Sequence, residues 1–476
     1  MTAASLHDEG IALWRAGRLD DALDRLGRAV DLAPETARYR TGFGLALAGL
    51  GQNAAAAQAW RTALTLDPSE SHALVNLANA GRALDAAHAR RLYRRALAIR
   101  AADPAALGNL GGLEEREGRS ASALRLYRQA LGLDPQIAEL WSNLGAARHW
   151  QGRLAPARLA LDRAVALAPA FAEARWNRAL TRLLAGDWPG GLRDHEGRWR
   201  RPGVVVPDFR LPRWQGEPLA GRRILLWGEQ GYGDAIQFAR LAAVVRARGA
   251  KVTLACRPRL KRLFGSLAGV DRVVGFGEAL PKADLEAPLM SLPLLLELTP
   301  PAMATAPYLA AAPEDIRRWQ ALLPSGRPRI GIVWAGNPAH QQDRLRSLPS
   351  DALAPLWKLD RVSFVSLQHE GQLDDLPAWR PPDAVDLADA AAEIACLDLV
   401  IAADTAVAHL AGALGKAVWI LLAHVPDWRW GTDGETTPWY ASARLFRQRS
   451  PGDWDEVIRR VAAALEERFP PHAGSR

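Results

Sequence analysis

The first two hundred residues carry a repeat of about 34 residues, and this repeat limits the N-terminal half to stacked helix pairs. Prolines that follow helix-like stretches recur at nearly even spacing, at the positions Pro34, Pro68, Pro104, Pro135 and Pro169. A proline ends a helix because it lacks the backbone N–H and clashes with the preceding turn. The spacing therefore predicts one helical unit per interval.

Small residues recur at fixed offsets before these prolines, which predicts two closely packed antiparallel helices in each unit. In the second unit they are Gly44, Ala56 and Ala63. The pattern resembles the tetratricopeptide repeat (TPR) family. The third unit, residues 72–104, fits poorly, and a sixth, truncated pair is expected over residues 172–201. We therefore predict an all-α TPR solenoid of five to six units over residues 1–201.

Solenoids of this type expose a long concave surface, which usually holds a peptide or a protein. We expect such a partner in the groove; a structural spacer or an oligomerisation arm is the alternative. An asparagine recurs near the start of successive units, at Asn76, Asn109, Asn143 and Asn177. This ladder could hydrogen-bond an extended peptide backbone, cap helices or bridge repeats, and the sequence leaves the three alternatives open.

A proline-rich connector, residues 202–221, precedes a second half in which strand-like and helix-like stretches alternate. Alternation of this kind predicts parallel sheets covered by helices. A second proline-rich passage divides the half into two Rossmann-like lobes, residues 222–313 and 314–476, which we expect to face each other across a cleft. The first predicted strand begins at Ile224, and the others span 251–255, 272–276, 329–334, 362–367, 399–402 and 417–422.

The stretch Ile224–Ala243 reads as a strand, a glycine turn and a helix. Its glycines, Gly228, Gly231 and Gly233, do not have the G-x-G-x-x-G spacing of a dinucleotide site. Glycines let backbone N–H groups approach a ligand, and a helix N-terminus attracts negative charge. Asp234 is unusual there, because it adds a carboxylate where an anion would bind. It is either the helix N-cap or a catalytic group.

Two polar loops follow strands of the second lobe. The loop at residues 334–347 contains Asn337, Arg346 and Ser347, which suit sugar hydroxyls and phosphate oxygens unless they are ordinary surface groups. The later loop starts at Asp404 and leads into a helix, with Thr405 as the expected cap and His409 one turn in. This second loop predicts an anion site at a helix N-terminus, with the histidine as a cationic or hydrogen-bonding helper or as a buried core residue.

An aromatic passage, Asp427-Trp428-Arg429-Trp430, follows the last predicted strand. Aromatic rings beside polar groups can stack on a base or a sugar face. Trp428 and Trp430 are therefore candidates for ligand stacking, and packing between the lobes is the alternative.

The order of these motifs, GEQGYGDAIQFARLA, VWAGNPAHQQDRLRSLP, DTAVAHLAGALGKAVWILL and DWRW, resembles glycosyltransferase family 9, the heptosyltransferase-like enzymes. The resemblance implies a GT-B fold, a nucleotide-diphosphate sugar as the donor, and inverting transfer with no required metal or other cofactor. It places Asp234 as the general base, with Gly231 and Gly233 in its turn. It also implies that Asp404, Thr405 and His409 form the donor-diphosphate loop.

One departure from the family pattern concerns Gln368. Members of the group often have a lysine after this strand, whereas here Gln368 is followed by His369. Phosphate neutralisation would then fall to Arg346, His409 and the helix dipole. If Asp234 is not the base, His340 and Asp343 are the next candidates.

The TPR arm suggests a protein or peptide acceptor, in a layout similar to that of eukaryotic O-GlcNAc transferase; a glycan acceptor is the other option. The alternative function is a non-catalytic TPR scaffold with a degenerate transferase domain. An oxidoreductase is disfavoured, because the dinucleotide fingerprint is missing. The chain is basic, with 60 Lys and Arg against 52 Asp and Glu, but it has no cationic block that would predict nucleic-acid binding.

Two cysteines, no secretory leader and no long apolar run predict a cytoplasmic protein without a transmembrane segment.

Overall fold

The structure, a computed structural model, describes residues 1–303, 307–339, 343–368, 376–382 and 384–470. His340 and His369 lie outside the described residues. Internal contacts divide the chain into two compact units, Met1–Asn177 and Arg178–Arg476. This division falls ahead of the predicted boundary at residue 201. Among the described residues, no helix combines the length and the apolarity needed to cross a membrane.

The N-terminal unit, all of whose residues are described, consists of antiparallel helix pairs, as the repeat predicts. Helix α11 then runs across the boundary between the units. The eleven helices are α1 (Ala3–Arg15), α2 (Leu19–Leu32), α3 (Ala37–Gly49), α4 (Asn53–Leu66), α5 (Ser71–Gly81), α6 (Ala86–Ile99), α7 (Pro104–Arg116), α8 (Ser120–Leu133), α9 (Ala138–His149), α10 (Leu154–Leu167) and α11 (Ala172–Leu184).

The helix ends are more regular than the prolines. The second helices of the five pairs have their C-caps at Ala33, Asp67, Arg100, Asp134 and Ala168, and the spacing between successive caps varies by a single position. Four of the prolines follow a C-cap directly. Pro104 instead is the first residue of α7, where its missing N–H costs nothing. The poor fit of the third unit therefore comes from a proline that starts a helix.

The prolines after the C-caps have a second structural role. A side chain further along the chain donates a hydrogen bond to the proline carbonyl: Arg40 to Pro34 at 2.9 Å, and Trp141 to Pro135 at 2.9 Å. The same bond recurs from Arg175 to Pro169 at 2.7 Å. Each bond ties the end of one unit to the first helix of the next.

Glycines of the first helix in a pair face large side chains of the second helix, at a constant offset along the chain. A β-carbon at Gly44 would lie 2.4 Å from Trp60 Nε1, and one at Gly111 would lie 2.6 Å from Tyr127. Real side chains do not approach so closely, so these positions require glycine for the helices to pack. The small residues of the repeat thus have the packing role that their spacing predicts.

The second unit contains two parallel sheets, as predicted. The sheet of the first lobe has the order β3-β2-β1-β4, and that of the second lobe β6-β5-β7-β8-β9. Their strands are β1 (Arg223–Trp227), β2 (Lys251–Cys256), β3 (Arg272–Gly275), β4 (Leu285–Pro288), β5 (Arg329–Val333), β6 (Ser363–Ser366), β7 (Leu399–Ala403), β8 (Val418–Leu422) and β9 (Ala443–Arg447).

In both sheets the chain crosses back over the first strand, which is β1 or β5. The connections that leave β1 and β4 therefore run in opposite directions, and so do those that leave β5 and β7. Such switch points are where open α/β sheets bind ligands. The helices around the sheets are α12 (Trp188–His195), α13 (Tyr232–Ala239), α14 (Ala242–Ala247), α15 (Lys261–Phe264), α16 (Leu292–Leu295), α17 (Pro300–Met303), α18 (Pro313–Leu322), α19 (Asp343–Arg346), α20 (Leu387–Ala395), α21 (Ala406–Ala413) and α22 (Trp454–Arg468).

Two strands were not predicted, and both lie at a sheet edge. β4 ends in Pro288, and a proline is tolerated at an edge because one side of the strand needs no donor. β9 contains Arg444 and Arg447, whose charged side chains hide its apolar alternation. Edge strands need less apolar surface than central ones, so their sequence signal is weaker.

The glycine packing yields a prediction on stability. Gly111→Ala should lower the free energy of unfolding of the N-terminal unit by about 1–3 kcal/mol, because the new methyl group overlaps Tyr127. Gly132→Ala is the matched control: this exposed position in α8 has no atom within 4 Å of a β-carbon. It should stabilise the unit by about 0.5–1 kcal/mol. Urea unfolding followed by circular dichroism measures both, and equal effects would contradict the packing argument.

Candidate functional site

Asp234 lies just after β1 at the switch point of the first sheet. Helix α13 begins at Tyr232, so the N-cap is Gly231 and Asp234 is the third helical residue. The alternative in which Asp234 is itself the N-cap residue is therefore wrong. Its Oδ2 still accepts the backbone N–H of the N-cap residue Gly231 at 2.9 Å, so the side chain stabilises the start of the helix. Its Oδ1 accepts a hydrogen bond from Arg429 Nη2 at 2.5 Å.

Arg429 is the main site residue that the sequence did not reveal. Its guanidinium donates to Asp427 Oδ1 at 2.9 Å and to Gln237 Oε1 at 2.5 Å, and lies 4.2 Å above the ring of Trp428. Burial lowers the pKa of Arg429, but Asp427 and Asp234 more than offset this effect and hold it above its ordinary value. The sequence signal was an arginine between two tryptophans, two positions after an aspartate.

Asp404 and Thr405 directly follow β7 and lead into α21 at the second switch point. Burial and the neighbouring Asp427 carboxylate raise the pKa of Asp404 to about 7, although Trp430 and Arg346 oppose the rise. Thr405 is the N-cap residue of α21, as predicted, but its hydroxyl makes no capping bond. Among the described residues, its buried Oγ1 has no hydrogen-bond partner.

His409 is buried against the first lobe. Its Nδ1 lies 2.9 Å from the Tyr440 hydroxyl, and its ring stacks on Trp430 at 5.2 Å. Burial and the cations Arg429 and Arg240 hold the pKa of His409 well below its ordinary value, so the ring is neutral. The cationic role expected for His409 is therefore not supported, whereas a neutral hydrogen bond is available to it.

Gly233 lets the two lobes touch at this point. A β-carbon there would lie 2.8 Å from His409 Cδ2 and 3.5 Å from the Cα of Ala406. Its predicted purpose was close approach of a ligand; in the structure the partner that it admits is the N-terminal end of α21. The close approach at Gly233 therefore serves the packing of α13 against α21.

The loop after β5 is folded by its own polar groups. Ser347 Oγ accepts the Gly336 N–H at 2.9 Å, and Asn337 Oδ1 accepts the Ala339 N–H at 2.9 Å. Arg346 Nη1 donates to the Asp404 carbonyl at 3.2 Å, which brings its charge to the α21 N-terminus. Arg346 thus joins the site, whereas Ser347 and Asn337 serve the loop itself.

Gln368 has a similar structural task. Its Oε1 accepts the N–H groups of Trp334 and Ala335 at 3.3 and 3.1 Å, and its Nε2 donates to the Ala335 carbonyl at 3.1 Å. The side chain is buried and joins the ends of β5 and β6. These bonds occupy the side-chain amide that was predicted to bind the nucleotide-sugar donor.

Trp428 and Trp430 are packing residues in this structure. They are 5% and 3% exposed, which leaves no ring face for a ligand. Trp428 lies edge-on to Trp188, 5.3 Å between ring centroids, and also contacts Phe238 and Trp439. The predicted ligand stacking is not supported, and the packing alternative explains both residues.

The structure thus brings Gly233, Asp234, Asp404 and His409 together around Arg429. Two cavities of about 450 and 440 Å³ lie elsewhere, and no candidate site residue lines either of them. One is lined by residues of the α22 N-terminus, and the other by the start of β8 and β9. The site residues therefore cluster beside two helix N-termini, with the buried cation Arg429 next to the three carboxyl groups of Asp234, Asp404 and Asp427.

Comparison with known proteins supports the repeats. The family described as tetratricopeptide repeat matches residues 7–71 and 109–170, and passes over the third unit. The N-terminal unit is accordingly a TPR solenoid, a fold that suggests protein partners. Protein FlbA of Caulobacter vibrioides is 29% identical over an alignment of 327 residues that covers 61% of this chain and 54% of FlbA. The chain thus spans about half the length of that relative.

Solved structures also resemble part of this chain. The Cut9–Hcn1 assembly of the APC/C matches at 21% identity and a TM-score of 0.40, over 43% of this chain and 41% of that chain. TTC0263 of Thermus thermophilus, a thermophilic TPR protein, matches at 22% identity and a TM-score of 0.35, over 38% of this chain and all of its own.

The raised pKa of Asp404 yields a prediction on pH dependence. An unfolded aspartate loses its proton near pH 4, whereas folded Asp404 keeps it to about pH 7. The folded state therefore binds the extra proton between these values, and Asp404 lowers stability progressively as the pH rises through them. Asp404→Asn, which cannot ionise, should gain stability relative to the parent by about 1–4 kcal/mol above pH 7.

Thermal unfolding at about pH 4.5, 6 and 8 measures this gain across the titration of the carboxyl. Asp360→Asn, at an exposed position, is the control for the loss of a carboxylate away from the site. A pH-independent effect of Asp404→Asn would show that the carboxyl titrates normally.

Proposed function

We propose that the second unit is a glycosyltransferase that moves a sugar from a nucleotide-diphosphate donor to a hydroxyl of a protein or peptide acceptor, with inversion and without a metal. One observation carries the proposal. A carboxylate after β1, hydrogen-bonded to Arg429, and a helix N-terminus after β7 meet where α13 packs against α21, at the switch points of two parallel sheets. Sugar transfer needs this pairing of a base with an anion site.

The donor diphosphate is proposed to bind at the N-terminus of α21. The first N–H groups of a helix have no partner within the helix, and its dipole favours negative charge. The hydroxyl of Thr405, without a partner among the described residues, adds a hydrogen bond. Arg346, held at the Asp404 carbonyl, adds a cation. Charge on the leaving diphosphate is stabilised best by such fixed groups.

Asp234 is proposed to act as the base. The acceptor oxygen forms a bond to the anomeric carbon while the bond from that carbon to the diphosphate oxygen breaks, and the hydroxyl proton passes to the carboxylate. Hydrogen bonds from Arg429 and Gly231 occupy one lone pair of each oxygen and leave the second for the proton.

The TPR unit is proposed to hold the acceptor chain. Asn76, Asn109 and Asn143 are the sixth residues of α5, α7 and α9, and their amides are unpaired in this fully described unit. They are at least partly exposed and free to bond a peptide backbone. Asn177 is different, since it donates to Ser142 Oγ at 3.3 Å and bridges two first helices. Three members of the ladder thus support peptide binding, and the fourth bridges repeats.

A non-catalytic scaffold is the second candidate. It is favoured by the family match, which is confined to the repeats, and by the engagement of both Asp234 oxygens in structural hydrogen bonds. In this case the second unit would bind a nucleotide or nothing, and the repeats alone would carry the function.

Asp234→Asn tests the proposal. The amide has one acceptor oxygen where the carboxylate has two, so its NH₂ group must face Gly231 or Arg429, both donors. Stability should fall by about 1–3 kcal/mol. Transfer should fall by about 10²–10⁴-fold because the amide accepts no proton at neutral pH, while the affinity for a nucleoside diphosphate is retained.

Calorimetry with the common nucleoside diphosphates, followed by a donor-turnover assay, measures these effects. The control is Asp453→Asn at the N-cap of α22. Asparagine caps a helix equally well, so neither the nucleotide affinity nor the rate of transfer should change. A native chain that binds a nucleoside diphosphate but turns over no sugar donor would favour the scaffold. An active Asp234→Asn variant would move the base elsewhere.

A further inference from the structure

The segment Trp188–Arg200, which the sequence assigned to the last truncated repeat, is built into the second unit. It consists of α12 and a 3₁₀ helix, Glu196–Arg200. Both parts lie in the compact unit that begins at Arg178. Two of its side chains make contacts that reach the loops of the candidate site.

The first contact is a buried ion pair. Arg198, whose side chain is 3% exposed, donates to both oxygens of Glu229 at 2.7 and 2.9 Å. It also donates to Ser291 Oγ at 2.8 Å. Glu229 lies in the turn between β1 and Asp234, and its Oε1 accepts the Met290 N–H at 3.1 Å. Arg198 thus ties the Asp234 turn to the segment and to the chain after β4.

The second contact is aromatic. Trp188 lies edge-on to Trp428 at 5.3 Å and to Trp439 at 5.9 Å between ring centroids. Trp428 directly precedes Arg429, and the Trp439 indole donates to the Arg429 carbonyl at 2.7 Å. The same short segment therefore packs under the loop that supplies the guanidinium and under the turn that supplies the carboxylate.

We infer that Trp188–Arg200 is a positioning element of the candidate site, with Arg198 as the residue that sets the place of Asp234 relative to Arg429. A misplacement of about 1 Å lowers transfer rates strongly, because the reacting groups must be aligned. The structural part of this inference is independent of the reaction; its consequence for sugar transfer rests on the proposed function.

Burial makes the pair sensitive to the loss of one partner. Without Arg198, Glu229 would keep a buried carboxylate without its cation, which destabilises a protein strongly. Arg198→Met alone would mix this general effect with any effect on the turn. The double variant Arg198→Met with Glu229→Gln removes both charges of the buried pair. Glu196, which also accepts from Arg198 at 2.6 Å, is 29% exposed and keeps access to water, so the double variant recovers much of the stability and still lacks the tie.

The test compares the full chain carrying Arg198→Met, the double variant, or Arg213→Met. The last is the matched control: Arg213 pairs with the buried Glu286 at 2.8 Å and lies over Trp199 of the same segment, but it contacts neither site loop. Three quantities are measured for each: the melting temperature, hydrogen exchange at residues 228–234 and 427–430, and the affinity for inorganic pyrophosphate.

We expect both Arg198 variants to exchange about tenfold faster at residues 228–234, with β1 and β2 unchanged, because only the turn loses its support. Pyrophosphate affinity should change little, since its proposed site is on α21, whereas sugar transfer should fall by about tenfold or more. The double variant should regain melting temperature without regaining slow exchange. Arg213→Met should leave exchange in both loops as in the parent.

Exchange at residues 228–234 that returns to the parent rate in the double variant would overturn the inference, because Arg198 would then contribute only stability. The same conclusion would follow from faster exchange spread evenly over the second unit. If the unsubstituted chain neither binds pyrophosphate nor transfers sugar, the proposed function fails, and the exchange data still decide the positioning role.

Discussion

The candidate site depends on the burial of one guanidinium among three carboxylates. A buried cation is tolerated only when it is paired and hydrogen-bonded, and Arg429 meets this condition through Asp234 and Asp427 at 2.5 and 2.9 Å. Because Asp234 and Asp427 come from opposite lobes, their ion pairs with the one buried guanidinium hold the two loops together. Asp404, which burial and Asp427 keep in its neutral form to about pH 7, is a different kind of carboxyl. Neighbouring carboxyls with different protonation are a frequent basis for separate chemical roles.

The same contacts define how the lobes meet. Gly233 brings α13 against Ala406 and His409 of α21, and Arg240 donates to the Trp439 carbonyl at 2.8 Å from the first lobe to the second. His409 is neutral as a result, since it is buried next to two arginines. The residue that the motif suggested as a phosphate-binding cation is thus part of the interface. The cations at the site are Arg429 and Arg346. Arg429 is paired with Asp234 and Asp427, and Arg346 with Asp343 at 3.1 Å.

The repeats follow a simpler rule, in which each contact is local in sequence. A glycine of one helix faces a large side chain of the helix that follows, and a proline carbonyl accepts a bond from a side chain at the start of the next unit. The glycine contact recurs in every well-formed unit and the proline bond in all but the second, so the solenoid is stabilised one neighbour at a time. The second unit has no comparable regularity, and its contacts join residues that are far apart in the chain.

This difference explains what the sequence by itself determined. The repeats, the parallel sheets and the switch-point loops were predicted because they rest on local spacing and on apolar runs. The edge strands β4 and β9 were missed because Pro288 and two arginines interrupt those runs. The tertiary structure alone decided the role of Arg429, whose partner Asp234 is far away in the sequence. It also decided that Arg198 and Trp188 serve the second unit, because burial of a charge or a ring depends on every element that surrounds it, and no local pattern records that environment.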